Sequence, residues 1–324
     1  MYLFRATTIG LFLVSAALAA GPTYTDPAKT DIDFPFQGEY VGVLKTGDGE
    51  VKLGLQVIAL GKGKFHGVGY HGGLPGDGWD GNDKHEVDGE VKGGAVVLKG
   101  DVAIAKIKDG MATVTDKEGK ELGTLKKVER KSSTLGAKPP SGAVVLFDGK
   151  SADAFKGGKV TEDGLLQQGC TSNQNFGSCK VHIEFRIPYQ PEDRGQGRGN
   201  SGIYVGARYE CQMLDSFGPK GENNECGGVY TKAEPKVNMC LPPLTWQTYD
   251  IDYTAAVYDS GKLVKNPRVT VSHNGVVVHK DVELPGERST TAAPNKPGPE
   301  PGPIYLQDHG NPVRYRNIWV VETK

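Results

Sequence analysis

Acid, amide, imidazole and guanidinium side chains gather at two places in this 324-residue chain. The first is Arg208-Tyr209-Glu210-Cys211-Gln212-Met213-Leu214-Asp215-Ser216, preceded by Gly199-Asn200-Ser201-Gly202-Ile203-Tyr204. Side chains alternate faces along a strand, so this spacing puts Arg208, Glu210 and Gln212 on one face and leaves Tyr209, Cys211 and Met213 for a core. The second is Leu306-Gln307-Asp308-His309-Gly310-Asn311-Pro312, where Gln307 and His309 share a face and Arg314 and Arg316 follow, flanking Tyr315. A carboxyl and an imidazole supply an acid and a base, a guanidinium balances a developing anion, and amides bind hydroxyls. Such a face is either a solvated surface or the floor of a polar cleft. In the blander reading Arg208–Glu210 is a surface ion pair of little energetic weight, and Asp215-Ser216 ends a strand in an Asx turn.

The elements that must carry these residues are strands. Glycine (46 residues) and proline (20) are frequent, and long helical patterns are scarce, which points to an all-β protein rich in turns. Eight short strands are predicted at Glu39–Leu44, Val51–Leu60, Lys64–Tyr70, His85–Val91, Ala95–Leu98, Val102–Ile107, Met111–Thr115 and Leu122–Val128. They make a small antiparallel sandwich or meander barrel over 33–130. Within it, Trp79 sits in a glycine-rich loop, placed either to plug a barrel end or to stack on a sugar. Residues 131–141 have the composition of a linker. From 142 to 324 strands resume: Val181, Ile183 and Phe185 alternate inward, and Asn274-Gly275 is the signature of a type I′ hairpin turn. Two stacked sheets of a jelly-roll sandwich are expected here, with 294–303 as a loop near a cleft mouth.

Arg5, the apolar run Ile9–Leu18 and the small-x-small pattern Ala17-Leu18-Ala19 predict a cleaved secretory signal over 1–19, too short for a membrane span. An exported chain with five cysteines predicts disulfides with one thiol left over, Cys226–Cys240 and Cys170–Cys179 being the pairs considered. With 38 basic and 39 acidic residues the chain has no electrostatic footprint for nucleic acid.

Taken in order, Gly199–Tyr204, Arg208–Ser216, Trp246-Gln247-Thr248-Tyr249-Asp250-Ile251, His273-Asn274-Gly275-Val276 and Leu306–Gly310 resemble the 3-keto-disaccharide hydrolase family. The resemblance runs over about 142–324. It implies a concanavalin A-like jelly roll with its site on a concave face, and an exported enzyme that cleaves glycosides oxidised at C3. That substrate gives the polar residues a purpose. A C3 ketone acidifies the C2 proton, so a base removes it, the glycosidic oxygen leaves C1, and hydration of the enone completes a net hydrolysis. On this reading Glu210 and His309 are the acid/base candidates, and Arg208 stabilises the enolate. Asn200, Gln212, Asp215, Gln307 and Arg314 bind substrate. A divalent cation held by Glu210, Asp215 and His309 is an alternative to the arginine. Two other classes fit a jelly roll: a non-catalytic carbohydrate-binding module, with Tyr204, Tyr230 and Trp246 as its aromatics, and a conventional glycosidase, which needs paired carboxyls.

Overall fold

A computed structural model describes residues 21–47, 49–82 and 84–323. The apolar run and cleavage pattern expected to form an export signal lie outside the described residues, and no helix among the described residues is long and apolar enough to cross a membrane. The chain is nearly all β, as its turn-rich sequence implies.

Strands β1 (Gly38–Thr46), β2 (Gly49–Gly61), β3 (Lys64–His71), β4 (Lys84–Lys92), β5 (Ala95–Lys99), β6 (Ile104–Lys108), β7 (Met111–Thr115) and β8 (Glu121–Val128) follow one another as an antiparallel meander. It closes into a barrel because β1 pairs with β8. Of the two architectures the sequence allows, the barrel is the one formed. Alternation decides which residues meet: Leu55, Val57 and Ala59 of β2 face the barrel core, while Ile58 of β2 and Val68 and Tyr70 of β3 face out and join the core of the second half. Trp79 neither plugs the barrel nor stands in solvent. It packs edge-on against Tyr70 at 5.0 Å between ring centres, in the seam between the two halves.

The second half comprises β9 (Val144–Phe147), β10 (Phe155–Lys156), β11 (Leu166–Gln167), β12 (Cys170–Phe176), β13 (Cys179–Arg186), β14 (Ser201–Val205) and β15 (Tyr209–Met213). It continues with β16 (Trp246–Thr254), β17 (Val257–Asp259), β18 (Lys262–Lys265), β19 (Arg268–His273), β20 (Val276–Glu283), β21 (Gly302–Leu306) and β22 (Arg314–Glu322). Two antiparallel sheets stack as a sandwich. One has the order β10-β12-β21-β14-β15; the other runs β11-β22-β13-β16-β19-β20, with β9 on β22. Val181, Ile183 and Phe185 of β13 meet Ile203, Met213 and Leu306 of the opposite sheet in one core, each large side chain contributing about 1.5–3 kcal/mol on burial. Asn274 and Gly275 take φ of 53° and 82°, the two positive values a type I′ turn needs between β19 and β20.

Residues 131–141 are not a loose tether. Thr134 Oγ1 donates to Asp250 Oδ2 (2.7 Å) and the Gly136 amide to Glu184 Oε1 (2.6 Å), so the segment straps the outer face of the larger sheet. His182, 2.6 Å from Asp250 Oδ1 and fully buried, belongs to this strap and not to a cleft.

The expected disulfides are not formed: all five cysteines are buried free thiols. Cys170 pairs across to Leu306 in one sheet and Cys179 to Tyr253 in the other, so the two do not face each other across a hairpin. Cys226 Sγ lies 3.2 Å from the Tyr249 hydroxyl, and the Cys240 thiol donates to the Leu214 carbonyl at 3.5 Å. The 226–240 loop is instead held by Asn238, whose amide donates to the carbonyls of Ser216 and Pro219.

Candidate active site

The outer face of the smaller sheet carries a compact polar pocket of about 130 Å³. Alternation places it. On β14, Ser201, Ile203 and Val205 face the core side and Tyr204 turns outward. On β15, Tyr209, Cys211 and Met213 turn inward, and Glu210 and Gln212 outward. Gln307 follows β21 on the same face, its backbone N–H donating to the Gly202 carbonyl (2.9 Å). Gly202 must be glycine: a Cβ there would lie 2.2 Å from Glu210 Oε1, so the bare backbone makes room for the carboxyl.

Glu210 is the floor. Its side chain is 3% exposed, and the Tyr204 hydroxyl donates to its Oε2 at 2.7 Å. Burial pushes its carboxyl up to about 8, against which the Tyr204 hydrogen bond pulls only partly back. At neutral pH the group therefore holds its proton. Tyr204 is itself pushed far up, by burial and by the neighbouring Glu210, and stays a donor.

Three amides form the wall, with their nitrogens turned into the protein. Asn200 Nδ2 donates to the Gln196 carbonyl and to Gln196 Oε1. Gln212 Nε2 donates to Gln196 Oε1 and to the Asn224 carbonyl, and Gln307 Nε2 to the Tyr204 hydroxyl. The opposite ends, Asn200 Oδ1, Gln212 Oε1 and Gln307 Oε1, are buried and have no partner among the described residues. A buried acceptor left unsatisfied costs about 1–3 kcal/mol.

His309, Tyr230, Thr291 and Ala292 complete the lining. His309 is exposed, and its ring makes no hydrogen bond to another described residue. Thr291 and Ala292 come from the segment after β20. That segment is tied to β15 because the Glu210 amide donates to Thr290 Oγ1 (3.0 Å) and the Thr290 amide to the Arg208 carbonyl (2.9 Å).

Five of the residues singled out in the sequence, Glu210, His309, Asn200, Gln212 and Gln307, thus line one pocket. Three do not. Arg208 lies in the turn before β15, where Ala207 has φ 52°, so the strand alternation does not reach it. Its guanidinium donates to the carbonyls of Lys296 (2.8 Å) and Glu300 (2.9 Å), pinning the proline-rich loop rather than facing the pocket. Asp215 lies past the end of β15 and takes Arg198 Nε at 2.6 Å, a buried pair at the seam with the barrel, where Arg198 also donates to the Ala59 carbonyl. Arg314 belongs to the larger sheet and donates to Gln168 Oε1. Trp246 is likewise remote, stacked under the Arg316 guanidinium at 4.0 Å.

The cation alternative fails on the donor set. Glu210 and His309 share the pocket but Asp215 is committed to Arg198, and among the described residues no group of three His, Cys, Asp or Glu is placed to hold a metal. A paired-carboxyl arrangement is equally unsupported, since Glu210 is the one acid among the described residues of the lining. Thr291 and Ala292 carry no signal in the sequence because they sit on a loop, where periodicity is silent; Gln196 lies within the glycine-rich 195–199 run, whose composition suggests only a flexible rim.

The half of the chain that carries the pocket is similar to known proteins. The family described as 3-keto-alpha-glucoside-1,2-lyase-like domain matches residues 142–321. No curated protein matches the chain. Among solved structures, one from Parabacteroides distasonis described as a "putative glycosyl hydrolase" is 35% identical, with a TM-score of 0.51, and the match covers 57% of this chain and 85% of that one. A second protein of that description from the same organism is 20% identical, with a TM-score of 0.41, over 56% of this chain and 94% of its own. The sandwich that carries the pocket lies within the matched span, and through it the chain belongs to the 3-keto-alpha-glucoside-1,2-lyase-like family.

Proposed function

We propose that the protein, after export, cleaves the glycosidic bond of a 3-keto-glycoside by elimination followed by hydration. The observation that carries this reading is the buried Glu210, its carboxyl pushed up to about 8, on the floor of a small polar pocket lined by Asn200, Gln212, Gln307 and His309. A conventional glycosidase needs a second carboxyl, and this pocket lines up none; a ketone-activated substrate needs only a base and an acid.

His309 at the mouth takes the C2 proton, and the electron pair moves into the C2–C3 bond as the ketone becomes an enolate. Tyr230 lines the pocket with a hydroxyl that bonds to none of the described residues, and it takes over the enolate-stabilising role that Arg208 is too far committed to fill. The enolate collapses, the C1–O bond breaks with its electrons on oxygen, and the departing oxygen collects the proton of Glu210. Water then adds at C1 and a proton returns to C2, so the sum is hydrolysis. Asn200, Gln212 and Gln307, whose side chains line the pocket, bind the sugar hydroxyls.

The test is turnover of a 3-keto-glucoside beside its unoxidised parent. The expected result is cleavage of the keto-sugar alone, reduced about 10²–10⁴-fold in Glu210→Gln and in His309→Ala. Binding of sugar without turnover by the unaltered protein would make it a carbohydrate-binding module instead.

A further inference from the structure

We infer that the β1–β8 barrel is a second binding site, a one-ended cup for a small uncharged apolar molecule. An eight-stranded barrel has an interior that side chains either fill or leave just wide enough for one small ligand. Here the two ends differ. One is sealed by aromatic packing, with Phe36 against Phe65 at 6.0 Å and Phe34 against Tyr189 at 5.0 Å. The other opens into a cavity of about 660 Å³ to which all eight strands contribute, within the range of ligand pockets.

Its walls include the half-buried Leu53, Val87, Ala105 and Leu122, whose remaining exposed surface gives onto the cavity. Val102 stands at the mouth, 76% exposed, where a surface loop would ordinarily be polar. The charged side chains of the lining are Lys84, Glu86 and Asp101 and most of the rest is aliphatic, so a charged body among the aliphatic walls would be desolvated with little compensation. At the rim, Lys84 Nζ is matched by Glu86 Oε1 at 2.6 Å and Asp101 stands exposed to solvent. The imidazoles of His71 and His85 are hydrogen-bonded to each other through their Nε2 atoms at 3.3 Å, and a single hydroxyl or amine on an otherwise apolar molecule would have to insert into or exchange with that pair.

The cup shares no lining residue with the sugar pocket, so this inference stands apart from the proposed activity. The experiment is a fluorescence titration of the whole protein with N-phenyl-1-naphthylamine, followed by competition with 2-naphthol. Saturable binding of one probe per chain is expected, displaced by 2-naphthol. Ala105→Trp, which fills the lumen, should abolish it. Val102→Asp, a change at an exposed position that leaves the fold alone, should weaken it roughly tenfold by replacing the apolar contact at the mouth with a second carboxylate beside Asp101. Cooperative melting of both variants confirms that they are folded. No saturable binding, or binding that Val102→Asp leaves intact, overturns the inference.

Discussion

A carboxyl sealed beneath a tyrosine makes the stability of this protein depend on pH in an unusual direction. In the unfolded chain Glu210 ionises near 4.5; in the folded one burial delays ionisation to about 8. Between these values the folded state binds more protons than the unfolded, so stability falls as pH rises from about 4.5 to about 8 and then levels. The fall is on the order of a few kcal/mol, because a proton retained over one further pH unit is worth about 1.4 kcal/mol. Urea midpoints measured across this range should show the fall in the native protein and a flatter profile in Glu210→Gln. In the proposed mechanism the same proton goes to the leaving group, so kcat/KM for the keto-glycoside should decline above about pH 8. Residues of this kind were legible where a strand's alternation fixes their face, as for Glu210 and Gln212 on β15; Gln307 and His309 reach the same pocket from the turn after β21, which alternation does not govern. Arg208 failed the same rule because the strand starts one residue later, after a turn with positive φ at Ala207. Asp215 failed because its partner, Arg198, is set by tertiary packing that spacing does not reveal.

At the scale of elements, β15 is the edge of its sheet, and two loops cover that edge. The 227–230 loop pairs along it, with the Gln212 amide donating to the Gly228 carbonyl and the Tyr230 amide to the Glu210 carbonyl. The 290–300 segment completes the cover through Thr290 and the Arg208 guanidinium. Covering an edge strand removes a pairing hazard, and here it also brings Tyr230, Thr291 and Ala292 over the pocket. Arg208 accordingly holds a lid in place and does not face the reacting atoms. Arg208→Ala should raise KM several-fold with kcat little changed, whereas loss of a direct anion-stabilising group lowers kcat by about 10²–10³-fold; steady-state kinetics of the variant separate the two. The strands themselves were legible from period-two alternation, and the I′ hairpin from Asn274-Gly275. The cysteine pairs were not, because assignment of β12 and β13 to different sheets is a property of the sandwich and not of spacing.

The whole molecule is a barrel docked on a sandwich through the outward faces of β2 and β3. The seam buries Tyr70, Trp79, Ile58 and the Arg198–Asp215 pair beside the loop that carries Gln196 and Asn200. Which way the barrel strands run could be read from sequence; that the meander closes on itself, leaves one end open and turns its outer face to a partner sheet could not. Those outcomes depend on contacts between residues far apart in sequence, such as Glu39 with Val128 for closure and the Tyr70 hydroxyl with the Gly218 carbonyl for docking. The sandwich half has the family's span and the pocket, and its proposed chemistry turns on how the C1–O bond breaks. The most decisive experiment is to run the cleavage of a 3-keto-glucoside in D₂O, trap the released sugar early by borohydride, and locate deuterium by mass spectrometry, with free 3-keto-glucose incubated alongside as the exchange control. Elimination and hydration predict one deuterium at C2 of each released sugar, above that control. Release of sugar whose C2 hydrogen is retained would mean direct displacement at C1 and would rule elimination out.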